Sequence, residues 1–276
     1  MSRPDGTCVR QRRIAAPSHA TAKAASVASR PTVLMRVAVI SDIHGNSHAL
    51  EAVLRAIDGE SPDAVWCLGD VVGYGPRPNR CCARVEEVAG VTLVGNHDLG
   101  VLGTISIDEF SGDAAAAARW TAEVLEDGPR AFLAGLAPQA ELPGAELYHG
   151  SPRDPVWDYV LSEEIAGASL ELTSAPVVLV GHSHLPLALG LVDGEIMGGI
   201  APGGTELELE DARFLLNPGS VGQPRDGDSR AAWLLLDQAR GLASFRRTDY
   251  AIEQTQAEIR ERGLPPVLAE RLALGA

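Results

Sequence analysis

The sequence predicts an α/β fold in which a parallel sheet flanked by helices is followed by a second, largely antiparallel sheet. From Met35 onward, short apolar runs rich in β-branched residues alternate with segments whose apolar residues recur at helical spacing. This alternation is typical of parallel strands with helices on their faces. Between residues 187 and 247 no helical segment appears, and strand patterns succeed one another through short turns.

The alternating half begins with the run MRVAVIS at residues 35–41, and the next segment places Leu50, Val53, Leu54 and Ile57 on one helical face. The strands predicted in this half cover residues 35–41, 64–68, 91–94, 146–148 and 177–180. The helices predicted between them cover residues 47–58, 79–89, 113–125 and 129–136.

The second half is predicted to consist of consecutive strands at residues 187–192, 195–200, 212–216, 231–236 and 243–247. Asp193-Gly194 separates the first two and is typical of a hairpin turn. Two helices, at residues 250–262 and 267–274, are predicted to close the chain, because Gly263 and the prolines after it end the first of them.

Composition and charge exclude several classes of protein. Hydrophobic residues make up 45% and charged residues 22% of the 276 residues, which is ordinary globular usage. The longest apolar runs are far shorter than the roughly 20 residues that a membrane span needs. The net charge is −14, and residues 1–34 carry six basic residues and one acid, net +5, which leaves −19 on the remainder. A body this acidic disfavours nucleic acid as a main partner.

Residues 1–34 are predicted to be a disordered extension, and residues 35–276 a single domain. The extension has no apolar periodicity, and it lacks the run of roughly 7 to 15 apolar residues that a secretory signal requires. Its Arg-rich and Ser-rich composition is also typical of a transit peptide, but translation from Met35, which opens the first strand, is the simpler hypothesis. The four cysteines show no disulfide or CxxC spacing, so we expect a reducing, cytoplasmic environment.

Side chains of metal-ligand type come directly after five of the predicted strands. The carboxyl ends of parallel strands lie along one edge of a sheet, so residues spread over about 140 positions are expected to converge on one crevice. Eight side chains are then available as ligands: Asp42, His44, Asp70, Asn96, His97, His149, His182 and His184.

These donors suit first-row divalent ions. Imidazole combined with carboxylate oxygen favours Mn, Fe, Zn, Ni or Co and disfavours metals that prefer thiolate. The set exceeds the needs of one ion, and two ions about 3.5 to 4 Å apart, bridged by one carboxylate, would use it. A single histidine after a strand is usually structural, and a single aspartate there usually caps a helix. Here five of the seven histidines come after predicted strands, each beside a glycine or a carboxylate, which chance placement does not explain.

Taken together, the motifs resemble the calcineurin-like metallophosphoesterase superfamily. They are Asp-x-His at 42–44, Gly-Asp-x4-Gly at 69–75, Gly-Asn-His-Asp at 95–98, a downstream His at 149 and Gly-His-x-His at 181–184, in that order. The stretches YHGSPR at 148–153 and NPGSVG at 217–222 further resemble the bacterial branch that includes small phosphodiesterases and diadenosine-tetraphosphatase-like proteins. The resemblance implies a four-layer α-β-β-α sandwich of two mixed sheets flanked by helices, with a dinuclear metal site at the carboxyl edge of the strands.

The resemblance also implies how the ligands divide between two divalent ions. It places one ion on Asp42, His44 and His184, the other on Asn96, His149 and His182, and Asp70 as the bridge between them.

His97 and Asp98 are implied to act at the phosphate. His97 would serve as general acid or hydrogen-bond donor, and Asp98 would orient its ring. Water shared by the two ions would ionise far below its bulk pKa of about 15.7 and attack phosphorus in line. Arg77, Arg153 and Arg225 lie in loops beside a motif or a Gly/Pro turn, and are candidates for holding the non-reacting part of the substrate.

The predicted function is therefore metal-dependent hydrolysis of a small phosphate ester, with phosphodiesters or nucleotides favoured. Ser220 is interpreted as part of a structural turn, because no Gly-x-Ser-x-Gly elbow surrounds it. The alternatives are a catalytically inactive metal-binding scaffold of the same fold and a protein phosphatase. Manganese is one of the candidate ions, and the sequence predicts neither the metal nor an oligomeric state.

Overall fold

A computed structural model describes residues 34–210 and 212–276. The extension predicted at residues 1–34 lies outside the described residues, apart from Leu34. The described strands are β1 (Arg36–Ile40), β2 (Ala64–Cys67), β3 (Val91–Thr92), β4 (Gln139–Leu142), β5 (Ala145–Tyr148), β6 (Val177–Leu179), β7 (Pro186–Val192), β8 (Glu195–Ile200), β9 (Glu206–Glu208), β10 (Arg213–Pro218), β11 (Ala231–Asp237) and β12 (Leu242–Thr248). The described α-helices are α1 (Ser47–Glu60), α2 (Pro78–Val88), α3 (Asn96–Leu102), α4 (Gly112–Val124), α5 (Asp127–Ala134), α6 (Glu163–Glu171), α7 (Ile252–Glu261) and α8 (Pro266–Leu274).

The strands form two six-stranded mixed sheets. The first has the order β3-β2-β1-β11-β12-β9, and the second has the order β4-β5-β6-β10-β7-β8. In the first sheet β1, β2 and β3 are parallel, whereas β11, β12 and β9 continue the sheet in antiparallel pairs. In the second sheet β5, β6 and β10 are parallel, and β4, β7 and β8 flank them in antiparallel pairs.

The prediction that the C-terminal strands form a sheet of their own is wrong. β7, β8 and β10 belong to the second sheet, but β9, β11 and β12 extend the first one. β11 pairs with β1, so that Leu234 lies opposite Val39, and β10 pairs with β6, so that Leu215 lies opposite Val178. The apolar pattern of a strand shows that both its faces are buried, but it does not identify the neighbouring strand.

The hydrophobic clusters show that the helices and the two sheets form four packed layers. Between the two sheets, Val37 and Leu236 of the first sheet join one cluster with Leu147, Leu179 and Leu216 of the second. The alternate residues of the strands face outward to the helices, since successive side chains of a strand point to opposite faces.

On the outer face of the first sheet, Ala38 and Ile40 of β1 share a cluster with Leu50 and Val53 of α1. On the outer face of the second sheet, Val178 and Leu215 pack with Ala166 and Leu170 of α6. The predicted α-β-β-α order is therefore confirmed.

Several short elements are not predicted by the sequence pattern. They are α3, α6, β4 and β9. β4 and β9 lie at the edges of their sheets, and their side chains are exposed or half-buried, so the apolar signal is weak. α6 begins where the Ser162 hydroxyl accepts a hydrogen bond from the Ile165 amide (3.3 Å). None of the helices in the described ranges is long and apolar enough to cross a membrane.

The packing of α6 predicts a sharp contrast between two leucines at its end. Leu170 is completely buried against the second sheet, whereas Leu172 is 64% exposed. Leu170→Ala is expected to lower the free energy of unfolding by about 2 to 5 kcal/mol, because it opens a cavity in the outer layer. Leu172→Ala, the matched control, should change it by no more than about 0.5 kcal/mol. Urea denaturation followed by circular dichroism measures both, and equal effects would contradict the four-layer packing.

Candidate metal centre

The seven predicted ligands meet where loops from both sheets converge, and all are buried, with 0 to 3% of each residue exposed. The first sheet supplies every predicted oxygen ligand together with one imidazole, and the second sheet supplies imidazoles alone. The ligands of the first sheet are Asp42, His44, Asp70 and Asn96, and those of the second are His149, His182 and His184.

Two of the three clusters of potential ligand atoms in the described residues correspond to the groups that the resemblance implies. One atom from each of Asp42, His44 and His184 lies within 4.8 Å of the other two, and the same holds for Asp70, His149 and His182. Asn96 belongs with the second cluster, because its Oδ1 atom is 3.2 Å from His149 Nε2.

Asp70 lies between the two clusters. Its Oδ2 atom is 3.7 Å from His44 Nε2 in the first cluster and 3.6 Å from His149 Nε2 in the second. The other carboxylate, Asp42, has Oδ1 3.5 Å from His184 Nε2 in the first cluster, and its Oδ2 accepts a hydrogen bond from the His182 backbone amide (3.2 Å). The position of Asp70 is thus the one that a bridging carboxylate needs.

Backbone carbonyls fix which nitrogen of each ring faces the centre. Nδ1 of His44 lies 3.1 Å from the Val72 carbonyl, and Nδ1 of His149 lies 2.9 Å from the Leu68 carbonyl. His184 Nδ1 is 2.6 Å from the carbonyl of Gln223. A carbonyl only accepts, so these Nδ1 atoms carry the protons and the Nε2 atoms are left with lone pairs.

The lone pairs face one another at a short distance. The Nε2 atoms of His44 and His184 are 2.9 Å apart, and three further atoms, Asp42 Oδ1, Asp70 Oδ2 and His182 Nε2, are buried without a hydrogen-bond partner. Buried acceptors of this kind are costly unless a donor or a cation satisfies them. The residues present therefore fit divalent metal ions.

Burial also shifts the pKa values of these groups in the direction that disfavours charge. It raises the pKa of Asp42 to about 7 and lowers the pKa of His182 to about 2. Burial raises the pKa of Asp70 as well, and it lowers the pKa values of His44 and His184 well below the usual range. A bound cation reverses this balance for the carboxylates, because it supplies the compensating charge.

The backbone at the centre is held in an uncommon conformation. Asp42, His44, Asp70, His182 and His184 all have positive φ angles, between 50° and 63°. They are five of the eight non-glycine residues with positive φ in the part of the chain that the structure describes. Such conformations cost free energy and persist where the surrounding structure enforces them, which they do most often at functional sites.

Two of the glycines beside the ligands are required by space. A Cβ atom on Gly95 would lie 2.0 Å from Asp70 Oδ1. Gly69 has a φ of 102°, and a Cβ atom there would lie 2.9 Å from His149 Nδ1. Side chains at these positions would displace the predicted ligands.

The NPGS segment holds the loops of both sheets in place. The amide of Asn217 donates to the Gly181 carbonyl (2.7 Å), and the hydroxyl of Ser220 donates to the Asp42 carbonyl (2.8 Å). The loop that carries His182 and the loop that carries Asp42 are therefore tied to one turn. This geometry agrees with the interpretation of Ser220 as a structural residue.

The structure corrects the role predicted for Asp98. Its carboxylate accepts hydrogen bonds from the amides of Val71 (3.3 Å), Val72 (2.9 Å) and Gly95 (3.0 Å), and makes none with His97. His97 Nδ1 is buried without a hydrogen-bond partner. Asp98 joins the loops after β2 and β3, because its side chain starts at the first turn of α3 and points back to both.

Ring packing, not a carboxylate, orients His97. Phe110 stacks on it with centroids 4.8 Å apart, and Tyr74 contacts it at 4.5 Å. Its ring nitrogens also lie close enough to His44 and Asp70 to form a third possible cluster, within 4.8 Å. Burial, followed by the charge of Arg225, lowers the pKa of His97 to about 3.

The three predicted substrate arginines lie in different surroundings. Arg77 makes two hydrogen bonds of 2.5 Å with Glu258 of α7, which lower the pKa of that carboxyl to about 2. Arg77 is therefore corrected to a residue that ties a loop to a helix, because its guanidinium already has a carboxylate partner. Arg153 is 41% exposed, and its partner is Asp158 of the same loop at 3.6 Å.

Arg225 lies beside the centre. Its guanidinium donates to the Tyr74 hydroxyl (3.3 Å) and to Gln223 Oε1 (3.1 Å). Its charge is among the causes that lower the pKa values of His97, His182 and His184.

Sequence reasoning missed the aromatic residues around the ligands. Tyr74 lies inside the quoted Gly-Asp-x4-Gly motif and packs on His44, with centroids 4.5 Å apart, so its position is a usable signal. Phe110 and Tyr159 come from connecting segments without a motif. Tyr159 stacks on His182 at 3.8 Å.

The chain matches known proteins over most of its length. Residues 35–239 match the calcineurin-like phosphoesterase superfamily domain. An uncharacterised protein of Methanocaldococcus jannaschii is 36% identical over 87% of this chain and 98% of its own length. Phosphodiesterase YfcE of Escherichia coli is 28% identical over 74% of this chain and 88% of its own length.

Solved structures show the same architecture. The crystal structure of a metallophosphoesterase from Sphaerobacter thermophilus superposes with a TM-score of 0.79, at 38% identity over 88% of this chain and all of that one. A hypothetical protein from Pyrococcus horikoshii shares the fold, with a TM-score of 0.73 at 21% identity over 87% of this chain and 98% of that one. The chain thus belongs to the calcineurin-like phosphoesterase superfamily and is a metallophosphoesterase, a hydrolase of phosphoric esters.

Proposed function

We propose that this metallophosphoesterase hydrolyses small phosphodiesters or nucleotides at a centre that holds two divalent ions. The observation that carries the proposal is the position of Asp70, whose unpartnered Oδ2 lies less than 4 Å from an imidazole of each cluster. The phosphodiesterase name of the Escherichia coli relative supports a diester substrate.

The ions would be held by the two clusters described above, with Asp70 between them. Divalent ions there would supply a nucleophile at neutral pH and would compensate the charge on the phosphoryl oxygens. The donors are nitrogen and oxygen atoms, and the described cysteines Cys67, Cys81 and Cys82 lie outside the clusters. This donor set favours Mn, Fe, Ni, Zn or Co.

His97 and Arg225 would act on the substrate. His97 is fixed by its ring contacts and keeps one buried nitrogen without a partner, so it can donate a hydrogen bond to a phosphoryl oxygen or a proton to the leaving oxygen. Arg225 would bind a non-reacting phosphate oxygen through its charge. Tyr74 positions both, because its ring contacts His97 and its hydroxyl accepts from Arg225.

Metal-dependent turnover is the direct test. Protein stripped of metal and reloaded with Mn²⁺ is expected to hydrolyse bis-p-nitrophenyl phosphate faster than p-nitrophenyl phosphate. His97→Ala should hydrolyse the diester about 10²- to 10⁴-fold more slowly than the wild type. It should keep its metal content, because the ring acts on the substrate. His48→Ala, the matched control, removes a histidine that contacts Glu258 and lies outside the clusters.

Two outcomes would count against this assignment. If the metal-loaded wild type turns over neither ester, the inactive scaffold becomes the better account of the chain. If His97→Ala loses metal together with activity, His97 is a ligand and the division of the clusters is wrong.

The bridging role of Asp70 predicts a loss of metal. Asp70→Asn is expected to lower the metal content below two ions per chain. The reason is that an amide offers one neutral oxygen where a carboxylate offers two charged ones. Asp193→Asn is the matched control, because Asp193 also has a positive φ (51°) but lies in the β7–β8 turn. Elemental analysis measures both variants, and an unchanged metal content in Asp70→Asn would show that this residue is not the bridge.

The different surroundings of two arginines predict different effects. Arg225→Met is expected to raise KM for the diester by about tenfold or more, because a charged hydrogen bond to phosphate is lost. Arg77→Met should leave KM unchanged and lower the free energy of unfolding by up to about 1 kcal/mol, since its ion pair is partly exposed. Steady-state kinetics and thermal denaturation of both variants check this, and the reverse pattern would return Arg77 to the substrate site.

A further inference from the structure

A rim of four aromatic side chains borders the predicted metal centre. The rim consists of Tyr74, Phe110, Trp157 and Tyr159, and the rings of Phe110 and Trp157 meet edge to face with centroids 5.7 Å apart. The whole sequence contains four Phe, four Tyr and four Trp residues, so a third of its aromatic side chains lie at this one place. Only 4% of the residues in the chain are aromatic. The general composition therefore does not explain why four aromatic side chains lie together at the predicted metal centre.

Tyr159 differs from the rest of the rim in its exposure. One face of its ring stacks on His182, with centroids 3.8 Å apart and planes inclined by 26°. The residue is nevertheless 41% exposed, and it is the one exposed aromatic residue within residues 34–210 and 212–276. Tyr159 is thus partly open to solvent, while one face of its ring lies against a predicted metal ligand.

The loop that carries Tyr159 is held by its own hydrogen bonds. The Gly150 amide donates to the Pro155 carbonyl (2.8 Å), and the Ser151 hydroxyl donates to the Asp158 carboxylate (2.6 Å). The carboxylate of Asp154 also accepts from the backbone amide of Trp157 (3.1 Å). The orientation of the ring is therefore set by the loop before any ligand binds, which limits the entropy lost on binding.

A need to shield His182 from water does not explain why residue 159 is a tyrosine. A leucine or valine at this position would cover the imidazole equally well and would expose less flat apolar surface. An aromatic ring adds a second face on which another planar ring can stack. Every nucleobase has such a face, and stacking on protein aromatics tolerates differences between bases.

We propose that the exposed face of Tyr159, within the aromatic rim, binds the nucleobase of the substrate, so that the natural substrate is a nucleoside phosphate ester. The inference rests on the proposed function, because it assigns the ligand of the same site. A base stacked on Tyr159 would lie one ring beyond His182, so that the phosphate attached to its ribose would be directed towards the predicted metal ligands. The base is uncharged, so the net charge of −14 does not oppose its binding.

Calorimetric titration with adenosine monophosphate and with ribose 5-phosphate tests the inference. The two compounds carry the same phosphate and ribose and differ by the base. The wild type, loaded with Mn²⁺, is expected to bind adenosine monophosphate about tenfold more tightly. Tyr159→Leu should abolish this difference, whereas Tyr159→Phe should restore it because the ring is kept. Leu161→Ala, the matched control two residues away at a 59% exposed position, should leave both affinities unchanged.

Measurements of metal content and turnover distinguish a failure of the base-binding inference from a failure of the proposed function. Tyr159→Leu is expected to keep its metal, and a loss of metal would show that the ring serves to protect His182 instead. Equal affinities of the wild type for the two compounds, or no binding of either, would overturn the inference. If bis-p-nitrophenyl phosphate is still hydrolysed in that case, the proposed function stands without a base-binding rim, whereas absence of all turnover would remove the proposed function itself.

Discussion

The structure depends on one constraint, which is that ligand atoms carrying lone pairs lie close together at one buried site. Imidazole nitrogens that carry lone pairs and carboxylate oxygens without partners lie within 4 Å of one another, and their side chains are buried. The rings of His44, His149 and His184 offer no donor to these oxygens, because backbone carbonyls hold their protons on the far nitrogens. A bound cation would relieve the repulsion between these atoms, so metal binding would favour the folded state.

The same constraint explains the strained backbone and the anchoring turn. Five predicted ligands adopt left-handed conformations that are uncommon for residues other than glycine, although Asp and His tolerate them better than most, and each chain segment turns sharply there to present its side chain. Hydrogen bonds between the loops offset the free-energy cost of these conformations. Asp98 joins the loops after β2 and β3, and the NPGS turn joins the loops of Asp42 and His182.

Ten of the twelve described strands, and the polar motifs that follow five of them, are predictable from the sequence alone. Apolar runs of four or five residues and the motifs after them are local signals, so they identify the predicted ligands without any knowledge of distances. The partition of the C-terminal strands between two sheets is not predictable, because the burial of β11 says nothing about its pairing with β1. Likewise, the pairing of Arg77 with Glu258 joins residues 181 positions apart, and the orientation of Tyr159 depends on a loop without a repeating pattern.

The division of the ligands between the sheets has a consequence for the order of folding. Each predicted ion site takes residues from both sheets, so neither sheet alone offers a complete set of donors. The contacts that complete the centre join residues about 140 positions apart, such as His44 and His184, and long loops of this kind close slowly. An ion would therefore find its complete set of donors only where the two sheets are docked against each other.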